Sequence, residues 1–137
     1  MWPMATFERE LDSAVKAARA GGEILREAFH SGRNHSDVEA EHSSRSILLG
    51  RHPEFGYRGK APPFEAARDP EGRLWLVDPM DGTQAFEEGY RGPSVSIALL
   101  RRGEPVLGVI FAFSWPDDEG DLFAWAEGMP SILRNGI

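Results

Sequence analysis

Asp78 and Asp81 stand three residues apart at the end of an apolar run, Leu74-Trp75-Leu76-Val77, and Gly82 and Thr83 follow at once. Paired carboxylates are hard oxygen donors of the kind Mg²⁺ takes. That ion prefers a near-octahedral shell at about 2.1 Å and draws only a few ligands from protein, completing the shell with water and phosphate oxygens. If a helix begins near Gly82, the N–H groups of Gly82 and Thr83 have no intrahelical partner and favour an anion at the same spot. An apolar strand, an acidic rim and a turn or helix start are how a metal and phosphate site could be written. The plainer reading is that Asp-Pro followed by Asp-Gly is ordinary turn chemistry. Taken alone, Asp78-Pro79-Met80-Asp81-Gly82 is first of all a turn.

The elements that must hold these residues are legible from pattern. Thr6 is placed to cap a helix, with Glu8 and Glu10 in the first turn where the helix dipole favours negative charge. Phe7, Leu11, Ala14, Val15, Ala18, Leu25 and Phe29 recur at three- and four-residue steps, which predicts a helix to about His30 with one apolar stripe. Gly21 and Gly22 lower its propensity by roughly 1 kcal/mol each relative to Ala, so either the helix bends there or a neighbour packs closely. Ser31-Gly32-Arg33-Asn34 ends it. A second, weaker helix is expected over Asp37 to Leu49. Residues Arg51 to Gly72, rich in Pro, Gly and charge, read as a loop with one short strand near Phe55 to Tyr57. Val95 to Leu100 and Val106 to Phe113 form a hairpin about Arg101-Arg102-Gly103-Glu104. Leu122 to Ala126 adds a strand, and the tail Ser131 to Ile137 a short further one. Helices first and strands after give an α+β fold, a largely antiparallel sheet with helices on one face.

The bulk properties narrow the possible functions. At 137 residues the chain fits one domain, and 41% hydrophobic with 27% charged residues describes a folded rather than a disordered protein. Its formal charge of −7, from 15 basic and 22 acidic side chains, argues against binding to a nucleic-acid polymer, which needs clustered cations. The absence of cysteine excludes disulfides and thiolate metal sites. It fits a cytoplasmic setting. The first residues have neither a basic start nor an apolar core, and no apolar run reaches membrane-spanning length.

Trp75-Leu76-Val77-Asp78-Pro79-Met80-Asp81-Gly82-Thr83 resembles the signature of the inositol monophosphatase family, a hydrophobic strand ending in Asp-Pro-x-Asp-Gly-Thr. Gly89 to Leu99, Gly103 to Ile110 and Leu133 to Gly136 resemble further family segments in the same order, and Val38-Glu39-Ala40-Glu41-His42 is similar to a more distant upstream one. The resemblance implies a Mg²⁺-dependent phosphomonoesterase built on the layered sugar-phosphatase fold. Asp78 would bridge two metal ions, Asp81 would hold the second, and the Met80 carbonyl would bind the first. Gly82 and Thr83 would take the phosphate. The Thr83 hydroxyl, paired with Glu41, would orient the attacking water. The implied substrate is a small phosphorylated metabolite, an inositol monophosphate or a 3′(2′),5′-bisphosphate nucleotide.

Two departures stand beside the resemblance. The family carries a Gly-Glu-Glu segment that supplies another metal carboxylate, and the best match here is Gly59-Lys60-Ala61. An ammonium about 4 Å from a divalent ion is repelled by roughly 8 kcal/mol at an effective dielectric near 20. The first metal site is therefore expected to be reorganised or lost, unless Lys60 swings into solvent or Glu65 substitutes. The second departure is length: the resemblance covers the family's first half, with a further metal aspartate in the second. A truncated or partial chain is expected, the N-terminal half of such an enzyme. The alternative is a non-catalytic domain that keeps the fold and pairs with a separate second half. Homodimerisation, or association with such a half, is the expected partnership.

Other conspicuous residues have plain readings. His30, His35, His42 and His52 lack metal-ligand spacing and are expected to face solvent. Trp75, Phe111, Phe113, Phe123 and Trp125 fall on strands and are expected in the core. Asp117, Asp118, Glu119 and Asp121 lack calcium-loop spacing and read as a solvated hairpin tip. Glu87 and Glu88 are expected to be exposed.

Overall fold

The computed structural model describes residues 7–33 and 36–137; the expected Thr6 cap, Asn34 and His35 lie outside them. The element order is α1 (Glu8–Ser31), α2 (Asp37–Arg51), β1 (Gly56–Arg58), β2 (Arg73–Asp81), α3 (Thr83–Glu87), β3 (Ser94–Arg101), β4 (Glu104–Ala112), β5 (Asp121–Ala126) and β6 (Leu133–Arg134). The strands make one sheet in that order. β1 runs parallel to β2, and every later pair is antiparallel. The α+β expectation holds, with a parallel strand at one edge.

The apolar stripe of α1 buries Leu11, Ala14, Val15, Ala18, Leu25 and Ala28. Gly32 ends the helix at φ 70°, its N–H donating to the Ala28 carbonyl, as a residue without Cβ does at a left-handed cap. The double glycine does not break the helix. A Cβ on Gly22 would fall 2.5 Å from Phe111 of β4, and one on Gly21 2.7 Å from Ser44 Oγ of α2. Gly21 and Gly22 therefore mark the close approach of two neighbours to α1.

Both helices lie on one face of the sheet, α1 against β3, β4 and β5, and α2 against α1 and β2. Alternation along the strands sends Trp75, Val77, Val95, Ile97, Leu99, Leu107, Val109, Phe111, Leu122 and Ala124 under the helices, all 4% exposed or less. Burying each large side chain of this set is worth roughly 1.5–3 kcal/mol. The opposite face is uncovered and apolar: Leu76 is 41% exposed, Ile110 48%, Phe123 37% and Ile132 64%. Phe123 and Trp125, expected in the core, lie on this open face, because on β5 Leu122, Ala124 and Ala126 take the inward positions. No helix among the described residues is long and apolar enough to cross a membrane.

Candidate metal and phosphate site

β2 continues through the Asp-Pro-Met-Asp segment instead of turning, which corrects the turn reading. In a regular strand, residues three apart point to opposite faces. Here Asp78 pairs with Ser96 and Asp81 with Ser94, so three steps on β2 face two on β3. This bulge absorbs one residue, and Pro79, which has no N–H to offer a ladder, sits inside it. Both carboxylates consequently line one open cleft of about 500 Å³, together with Arg58, Gly59, Lys60, Leu76, Met80, Gly82 and Thr83. Asp78 and Asp81 are exposed there.

Local hydrogen bonds set the cleft floor. Asp78 Oδ1 accepts the Met80 N–H at 3.2 Å, which fixes the carboxylate's rotation. The Thr83 hydroxyl donates to the Met80 carbonyl at 3.4 Å. Gly82 stands at φ 95°, capping α3, and a Cβ there would come within 3.4 Å of Pro93. Asp78, Asp81 and the Met80 carbonyl are hard oxygen donors gathered on one rim, a set suited to an ion that takes few protein ligands. Among the described residues no group of three or more His, Asp or Glu side chains surrounds a common point. The donor set therefore fits Mg²⁺, with most of its shell left to water and substrate, and does not fit a closed protein cage.

Glu41 is placed otherwise than the resemblance implies. It is 6% exposed, and its Oε1 accepts the N–H groups of Lys60 and Ala61 at 3.0 and 3.2 Å. Its Oε2 accepts the Tyr57 hydroxyl at 3.2 Å, and burial, then the adjacent Glu41 charge, holds that phenol above its ordinary pKa. The bond from Thr83 goes to Met80 and not to Glu41, which secures the Gly59–Ala61 loop from below. Gly59 is required there, since a Cβ would lie 2.6 Å from Glu41 Cδ.

Lys60 is exposed, its side chain 51% accessible, but paired, and Glu65 does not replace it, pairing instead with Arg45 at 3.0 Å. Its Nζ donates to Asp37 Oδ2 at 3.0 Å. That bond first, then the charges of Asp37, Asp78 and Glu41, raise its pKa against the effect of desolvation. Arg58 and Asp37 escaped the sequence reading. A signal for Asp37 existed, for Asp37 and Glu41 are four apart on a helix and share one face.

A family model, the inositol monophosphatase family, matches residues 8–129. The chain belongs to this family. Inositol monophosphatase 3 of Solanum lycopersicum is 32% identical over 122 residues, spanning 77% of this chain and 44% of the relative. The 3′(2′),5′-bisphosphate nucleotidase CysQ of Shigella flexneri is 32% identical over 117 residues, spanning 74% and 47%. Among solved structures, the inositol monophosphatase from Anabaena superposes with a TM-score of 0.79 at 30% identity, covering 96% of this chain and 48% of that one. The suhB protein of Bartonella henselae gives 0.81 at 26% identity, covering 90% and 51%. The chain thus spans about half the length of the inositol monophosphatase family relatives it matches, and its cleft lies within the matched residues.

Outside the cleft, the structure revises two plain readings, those of His52 and Asp121. His52 is buried, stacked on Phe55 at 4.8 Å and 2.7 Å from Ser13 Oγ. Burial first, then the charges of Arg9, Arg51 and Arg73, lower its pKa from 6.5 to about 4. Asp121 is 3% exposed and grips the Arg134 guanidinium, its two oxygens 2.8 and 2.7 Å from Nε and Nη2, so it is no part of a solvated tip. Asp118 remains exposed but is bonded to His30 and Arg91 at 2.8 and 2.9 Å. His42, Glu87 and Glu88 are exposed as expected.

Proposed function

We propose that this chain, as a single domain, carries the metal- and phosphate-binding half of a Mg²⁺-dependent phosphomonoesterase acting in the cytoplasm. Its substrate would be a small phosphorylated metabolite of the inositol monophosphate or 3′(2′),5′-bisphosphate nucleotide class. The supporting observation is the β2 bulge, which gathers Asp78 and Asp81 on one cleft beside Gly82 and Thr83 in a chain of this family.

Asp78, Asp81 and the Met80 carbonyl would hold the ion, with Asp78 already oriented by the Met80 N–H. When bound, Mg²⁺ supplies Lewis acidity and lowers the pKa of a coordinated water. Gly82 and Thr83 would receive the phosphate oxygens through backbone N–H groups, while the Thr83 hydroxyl, in the lining of the same cleft, would turn toward an incoming water. Glu41 would act at one remove, by holding the loop that carries Lys60.

The test is release of inorganic phosphate from inositol 1-phosphate and from adenosine 3′,5′-bisphosphate. Turnover that requires Mg²⁺ and disappears in Asp78→Asn with Tm unchanged is the expected result. No turnover together with no Mg²⁺ binding would sink the proposal. The uncovered apolar sheet face favours a second reading, a non-catalytic subunit that pairs with another copy or with a separate second half. Tight Mg²⁺ binding abolished by Asp78→Asn contradicts a purely structural role.

A further inference from the structure

Lys60 is held at both ends by one helix. Its backbone N–H is bound by Glu41 and its ammonium by Asp37, residues one turn apart on α2. Asp37 is itself largely buried, its side chain 17% exposed. A surface lysine ordinarily samples many rotamers and loses roughly 2 kcal/mol of side-chain entropy when ordered. Here the side chain, 51% exposed, is paired with Asp37 at the border of a cleft it lines with Asp78, Asp81, Gly82 and Thr83.

Charge counting in that cleft gives the ammonium a task. Asp78 and Asp81 bring two negative charges, which one divalent cation neutralises. A phosphate monoester adds about −2 near neutral pH, and the cations lining the cleft are Arg58 and Lys60. Arg58 sits over the Phe64 ring at 5.1 Å, whereas Lys60 is tied by hydrogen bonds at both ends. We propose that Lys60 is a phosphate-binding residue, its ammonium, preset by Asp37 and Glu41, donating to a phosphoryl oxygen of the bound ligand. This rests on the phosphatase proposal for the same cleft and adds to it a fixed protein cation that shares the phosphate charge with the metal.

Inorganic phosphate titrated calorimetrically into the full chain, with and without Mn²⁺, tests it. Loss of one charge-assisted hydrogen bond predicts that Lys60→Met binds phosphate about tenfold more weakly in both buffers. Lys60→Arg, which keeps the charge, restores most of the affinity. Phosphate binding unchanged in Lys60→Met, or absent from the wild type, overturns the assignment. Mn²⁺ binding followed by electron paramagnetic resonance separates this from the underlying proposal. A wild type that takes no Mn²⁺ ends the metal reading, while the metal-free phosphate comparison still decides the role of Lys60.

Discussion

Lys60 lines a cleft that also holds two carboxylates, so reversing its charge is the most direct probe of what the cleft binds. Lys60→Glu removes a repulsive charge and adds an oxygen donor; Mg²⁺ affinity should rise by about tenfold or more, read by calorimetry. An unchanged affinity would mean that the side chain at position 60 does not reach the ion. His52 makes a second residue-scale prediction. Its folded pKa of about 4 lies below the unfolded 6.5, so the unfolded chain binds the proton more readily. Stability is full above pH 6.5 and falls as pH drops toward 4, by about 3 kcal/mol once protonation is complete. Urea midpoints for the wild type should decline across that window, and His52→Gln should flatten the decline. Residue types announced Asp78 and Asp81 from the sequence, because adjacent letters carry local chemistry. The burial of His52 and the partners of Glu41 were not legible, since each depends on residues far away in the chain, Ser13 in one case and the Gly59–Ala61 loop in the other.

At the scale of elements, α1 and the β3–β4 hairpin were legible because their periods of 3.6 and 2 are written in consecutive residues. The parallel pairing of β1 with β2 was not, for a three-residue strand followed by a loop gives no local cue to its direction. The β2 bulge was hidden for a related reason: it is a mismatch between two strands and belongs to neither sequence alone. Gly21 and Gly22 left both explanations open until the neighbours of α1 were known. Their role predicts that Gly22→Ala, normally favourable in a helix, will instead destabilise by about 1–3 kcal/mol through overpacking against Phe111. Gly50→Ala is the control, since nothing lies within 4 Å of a Cβ there. Denaturant midpoints that moved alike in both variants would contradict the close-packing account.

For the whole molecule, the uncovered face carrying Leu76, Ile110, Phe123 and Ile132 should drive association at high concentration. Ile110→Lys should lower the light scattering of concentrated samples with little change in Tm. The borders of the sheet decide what form that association takes. β1 has three residues and β6 has two, and Tyr57 of β1 already exchanges two 2.8 Å hydrogen bonds with Glu65 on its outer side. A visiting strand finds only short runs of free backbone to zip onto. Clusters of this protein should therefore grow face to face and stay finite or amorphous, dissolving on dilution, with no thioflavin T fluorescence and no seeding of fresh solutions by old ones.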